Sequence, residues 1–97
     1  MDGLIKDYAT ECLKTDVEQL LDDPYAFSAL PTAYDRAVEL RAGIIPKLRR
    51  IAAALGIDFD ELVKAGSPYE REQLRRIEAD EDCSHIAIMA ALKEQKG

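Results

Sequence analysis

The chain predicts an all-α fold: a compact bundle of five or six short helices forming a single domain over residues 1–97. Three observations predict it. Apolar residues recur at three- and four-residue spacings along most of the length, which is the period of a helix with one buried face. Start and stop signals recur about every 10 to 20 residues. No stretch of four or more residues alternates in the manner of a strand, and no segment repeats at a fixed period.

The first helical region begins at Asp2. Its apolar positions Ile5, Tyr8, Ala9, Cys12, Leu13, Val17, Leu20 and Leu21 form one expected buried stripe. Thr15-Asp-Val-Glu18 has the spacing of a capping box, so the region reads as one helix or two short ones. Asp22-Asp23-Pro24 ends it. Tyr25, Phe27 and Leu30 lie between Pro24 and Pro31, and so apolar a connector is expected to fold back over the core. Helix restarts near Pro31, because proline is tolerated in a first turn. It is expected to run through Ala33, Tyr34, Ala37, Val38 and Leu40 to a stop at Gly43, with glycine supplying the left-handed conformation.

Pro46 opens the next helix, with the stripe Leu48, Ile51, Ala52 and Leu55 and a stop at Gly56. Asp58-Phe-Asp-Glu61 then reads as a capping box opening a short helix that Gly66 closes. Ser67-Pro-Tyr-Glu70 is the clearest start signal, combining an N-cap serine, proline at the first helical position and glutamate at the third. A long C-terminal helix over 68–94 follows, read either as continuous or as interrupted around Glu81-Asp-Cys-Ser84.

Composition bounds the function. The 97 residues are 47% hydrophobic and 33% charged, with a net charge of −6. That balance suits a globular domain and opposes uniform attraction to nucleic acid or anionic lipid. No basic leader precedes an apolar segment, and no apolar run approaches the roughly 18 residues of a membrane span. A cytoplasmic protein with no membrane partner is expected. Cys12 and Cys83, the two cysteines, fit free thiols in a reducing compartment.

Ile51, Ala52, Leu55, Gly56, Ile57, Asp60, Glu61 and Leu62 write a helix, a glycine turn and a short second helix. Over about residues 46–66 this pattern resembles the small helix-turn-helix DNA-binding domains related to lambda and 434 repressors and Cro. The resemblance implies a DNA-binding function, with a dimeric transcriptional repressor as its natural form. If these residues were the reading unit, however, the recognition helix would open with Asp58, Asp60 and Glu61, where phosphates must be met. The alternative reader is the helix before this unit, Pro31 to Ala42, carrying Arg36 and Arg41. Arg36, Arg41, Lys47, Arg49 and Arg50 stand against Glu39 alone between positions 36 and 50, a candidate patch for nucleic acid or an acidic partner. The same cations also read as a solvated face with stems covering the core.

Acidic segments point toward protein partners. Residues 1–23 hold seven acids against Lys6 and Lys14, and Glu78, Asp80, Glu81 and Asp82 form a candidate acidic interaction surface. Farther on, Ile86, Met89 and Leu92 make a candidate partner or dimer face. Catalytic and metal readings find little support. Cys83 and His85 are two residues apart, which points them to different faces of a helix, and Glu81 with His85 is an i, i+4 pair best read as an ion pair. No catalytic residues, metal site or cofactor are expected. The sequence therefore points to a non-enzymatic regulatory protein acting through protein–protein contact, such as a phage- or plasmid-type inhibitor or antiactivator. The alternatives of homodimerisation and direct DNA binding stay open.

Overall fold

In a computed structural model, residues 2–96 are described, with side chains from residue 3 to residue 95. Six α-helices follow one another: α1 (Asp2–Asp22), α2 (Ala33–Glu39), α3 (Ile45–Ala54), α4 (Phe59–Val63), α5 (Pro68–Ala79) and α6 (His85–Lys96). A 3-10 turn, Pro24–Phe27, follows α1, and a π-turn, Leu40–Ile44, joins α2 to α3. No strand occurs among the described residues. The all-α bundle expected from the periodicity is the fold observed. Its extents of 48 × 34 × 17 Å describe a slab, thin enough for two layers of helices about 8–10 Å apart.

The core is a single cluster. Leu13, Val17, Leu20 and Leu21 of α1 meet Leu40, Ile45, Leu48 and Ala52 from the joined α2 and α3, Phe59 of α4, and Leu74 and Ile77 of α5. Burying each large aliphatic side chain contributes about 1.5–3 kcal/mol relative to leaving it in water. The 3-10 turn packs Tyr25 and Phe27 against this cluster, as the apolar connector implied. Ile88 of α6 is completely buried, in a helix that packs principally on α5.

α1 is one helix rather than two. The Thr15 hydroxyl donates to the Glu11 carbonyl at 3.0 Å, so it bonds back into its own helix and caps nothing. The expected stripe also divides. Leu13 and Val17 are buried, whereas Ile5, Tyr8 and Cys12 are exposed. Tyr8 and Leu13, five residues apart, sit roughly 140° apart around a 3.6-residue helix, so one neighbour cannot cover both.

Gly43 does not stop a helix. Gly56 is the glycine with positive φ among the described residues, and the chain runs helically from Ala33 to Ala54. The cause is Pro46, which lacks an N–H and crowds the carbonyl four residues back. The π-turn widens the helix just before it, with the Ile45 N–H donating to the Leu40 carbonyl.

Gly56 behaves as expected. At φ 73° it closes α3 while its N–H donates to Ala53 O at 3.1 Å and the Ile57 N–H donates to Ala52 O at 2.8 Å. These are the two bonds of a Schellman cap. Thr32 caps α2, accepting from the Asp35 N–H at 3.1 Å, so that helix starts just after Pro31. The Asp58 carboxylate caps α4 by accepting the Asp60 N–H at 3.0 Å. Glu61 does not reach back to complete a box; its carboxylate accepts instead from Lys64 Nζ at 2.8 Å. Gly66 has no positive φ either; a Cβ there would lie 3.0 Å from Leu21 Cδ2, so close approach to α1 is its role.

The Ser67–Glu70 box forms in full: the Glu70 N–H donates to Ser67 Oγ at 3.2 Å and the Ser67 N–H to Glu70 Oε1 at 2.8 Å. The long C-terminal helix expected over 68–94 is instead two helices, the break over 80–84 falling at the second of the alternatives the sequence left open. Asp80 takes the left-handed conformation at φ 58° and closes α5.

Candidate interaction site

The basic segment and the acidic segment meet in the folded chain. Arg49, on α3, donates from Nε and Nη2 to the two oxygens of Glu78 on α5, both at 2.9 Å. Its Nη2 also reaches Asp60 Oδ1 on α4 at 3.1 Å, and its guanidinium lies 4.5 Å from the centroid of the Phe59 ring. The hydrogen bond to Glu78 is the chief reason the Arg49 pKa is raised. Arg41 pairs with Asp80 at 3.0 Å beside the end of α5. The Arg36 Nε donates to the Leu30 carbonyl, pinning the connector. Lys47 and Arg50 remain, exposed and without an ion-pair partner among the described residues.

The remaining two predicted acids build the corner between α5 and α6. Glu81 pairs with Arg75 at 3.2 Å and lies 3.9 Å from Arg76. The Asp82 carbonyl accepts from Arg76 Nη1 at 2.9 Å, and its carboxylate accepts the Ser84 N–H at 2.9 Å. The bonds from Ser84 hold the Asp82 carboxyl below the usual range. Beneath this corner lies Glu72, which the sequence gave no reason to single out. It is buried, with Arg75 and Arg76 donating to it at 2.7 to 3.1 Å. The Arg75 hydrogen bonds, ahead of those from Arg76, keep its carboxylate below the ordinary range despite the burial that opposes ionisation.

Parts of both charged segments are thus engaged with each other: Arg49 holds Glu78 between α3 and α5, and Arg41 makes an exposed pair with Asp80. A phosphate track would have to displace Glu78 from Arg49 and Asp80 from Arg41, leaving Lys47 and Arg50 as the uncommitted cations of the original five.

The predicted apolar face is open. Ile86 is 82% and Met89 48% exposed, and Leu92 is half-buried. Ile88 turns into α5, and the remaining sides of α6 have too few neighbours to be covered. Met89 and Leu92 line a groove of about 600 Å³ with Pro68 and Arg71 of α5 and Lys93 and Gln95 of α6. Arg71 and Lys93 are exposed and lack an ion-pair partner among the described residues. Neither was marked by the sequence, since an isolated cation on a helix carries no pattern.

A second apolar surface was also missed. Leu4, Ile5 and Tyr8 are 72, 70 and 74% exposed on the first half of α1. The signal existed as the angular spread of the α1 stripe, but periodicity does not say how far the body extends along a helix.

The catalytic inventory has no convergence. The Cys83 thiol contacts the Tyr25 hydroxyl at 3.3 Å, whereas His85 Nδ1 contacts the Tyr69 hydroxyl at 2.9 Å. Burial first, then the contact with Cys83, pushes the Tyr25 pKa up. The expected Glu81–His85 ion pair does not form, because the chain between them is not helical. No group of three or more potential metal ligands occurs among the described residues. Cys12 and Cys83 are unbridged, and no helix among the described residues is long and apolar enough to cross a membrane.

Comparison with protein-family models, curated proteins and solved structures returned no match.

Proposed function

We propose that this chain is a small, non-enzymatic, cytoplasmic regulatory protein that acts by occupying a surface on another protein, as an inhibitor or antiactivator does. The observation that carries the reading is the α6 face. Ile86 and Met89 stand exposed beside an apolar groove, at the side-chain spacing of a helix that docks on a partner. The charge arrangement supports it. Arg41 and Arg49, two of the cations that would meet phosphates, are neutralised by Asp80 and Glu78. On this reading the segment resembling repressor domains is a packing corner: Gly56 makes the turn, and Arg49 straps α3 to α4 and α5.

The test pairs two measurements. In a low-salt titration against random-sequence duplex DNA, the purified protein is expected not to bind. Affinity capture from source cells with wild-type protein and an Ile86→Asp/Met89→Asp variant is expected to yield a partner only the wild type retains. Salt-sensitive duplex binding, abolished by Lys47→Glu/Arg50→Glu, would overturn the reading in favour of a DNA-binding repressor.

A further inference from the structure

The first half of α1 and the groove between α5 and α6 are complementary in shape and in charge. On α1, Leu4, Asp7, Tyr8 and Glu11 are neighbours at three- and four-residue spacings, so two acids flank two exposed apolar side chains. Asp7 has no ion-pair partner among the described residues, and Glu11 has only a long contact of 3.8 Å to Lys14. In the groove, Met89 and Leu92 are flanked by Arg71 and Lys93. That is a basic site on a chain whose net charge is −6.

We propose that the groove receives the first half of α1 from a second copy of this chain, in a reciprocal pair. Leu4 and Tyr8 seat on Met89 and Leu92, while Asp7 and Glu11 face Arg71 and Lys93. Three arguments select a second copy. Each surface lacks a cover in its own chain, and each supplies the charge the other lacks. A two-fold axis makes the contact twice, which raises two modest patches toward the area a specific interface needs. Uniformly acidic copies would repel, so docking requires a site where the local signs are opposite. The proposal rests on the reading of the α6 face as an interaction surface and adds the identity of one occupant.

The test is the mass of the intact protein in solution, by light scattering at up to about 100 µM, where a contact of this class with micromolar affinity is populated. Two chains per particle are expected. Tyr8→Asp and Arg71→Glu/Lys93→Glu should each weaken dimerisation at least about tenfold, with unchanged circular dichroism because the side chains are exposed. A chain combining Asp7→Lys/Glu11→Lys with Arg71→Glu/Lys93→Glu should dimerise again. Zero-length cross-linking of mixed isotopically light and heavy wild-type chains should join Lys93 of one to Asp7 or Glu11 of the other, which tests the contact without a variant. A monomer throughout, a dimer indifferent to the groove charges, or a charge-swapped chain that stays monomeric would overturn the proposal. Because Met89 belongs to both surfaces, the capture is repeated with Ile86→Asp alone and scored only for chains other than this one, which keeps failure of the dimer distinct from failure of the foreign-partner reading.

Discussion

Arg49 and Glu78 form a bidentate ion pair that ties α3 to α5, with both hydrogen bonds at 2.9 Å. Asp60 joins from α4, so one guanidinium holds three helices. Arg49→Ala is expected to cost about 1.5–2.5 kcal/mol, the low end for a forked pair because both side chains are about one-third exposed. A double-mutant cycle with Glu78→Ala, followed by urea unfolding, should give a coupling of about 1 kcal/mol. Coupling near zero would mean that the pair forms without holding the helices.

Glu72 sets the acid limb of stability. Its carboxyl is held below the ordinary value of 4.5 in the fold, principally by Arg75 and then by Arg76. A depressed folded pKa contributes stability that is fully present above the unfolded pKa and is lost as pH falls through the folded value. The wild type should therefore weaken progressively below about pH 4.5. Glu72→Gln should cost about 1–2 kcal/mol at neutral pH by leaving the half-buried Arg76 with the Asp82 carbonyl and only a long contact to Glu81, and should flatten the acid limb. Thermal melts across the acid range check both effects.

Local chemistry was legible in the sequence, and relationships between distant segments were not. Ser67 with Glu70 and Gly56 with Ile57 form their caps within a few residues, so composition at fixed spacing sufficed. Gly43 and Pro46 misled because the π-turn absorbs the proline in a helix the sequence divided in two. The 36–50 cations and the 78–82 acids were each visible as a cluster. Their mutual neutralisation depends on α3 crossing α5, which no local pattern encodes. Ile86 and Met89 were singled out because a short domain lacks the interior to bury every apolar stretch, and both are exposed. The α1 face was missed because its period is continuous with the buried stripe.

Asp80 carries backbone strain that a glycine would remove. It is left-handed at φ 58° and ψ 40°, a conformation costing a side-chain-bearing residue roughly 1 kcal/mol. Its ion pair with Arg41 offsets little of this, because the Asp80 side chain is 73% exposed. Asp80→Gly is thus expected to raise stability by about 0.5 kcal/mol, whereas Asp80→Ala should lower it. Thermal midpoints in the order glycine, aspartate, alanine, highest first, are the expected result, and a fall on substitution by glycine would show that the Arg41 contact outweighs the strain.

Gly43 and Gly56 should respond to alanine with opposite signs. A Cβ at either position meets no atom within 4 Å, so sterics beyond the backbone do not distinguish them. Gly56 alone has positive φ, at 73°, where alanine pays the left-handed penalty. Gly56→Ala should destabilise by about 1 kcal/mol and fray the end of α3. Gly43 lies within the helical run that the π-turn carries from α2 into α3, where removing glycine reduces the freedom of the unfolded chain. Gly43→Ala should therefore stabilise by about 0.5–1 kcal/mol. Denaturation midpoints of the two variants measured side by side decide the matter. A loss at both sites would place Gly43 in a helix-ending turn and separate α2 from α3.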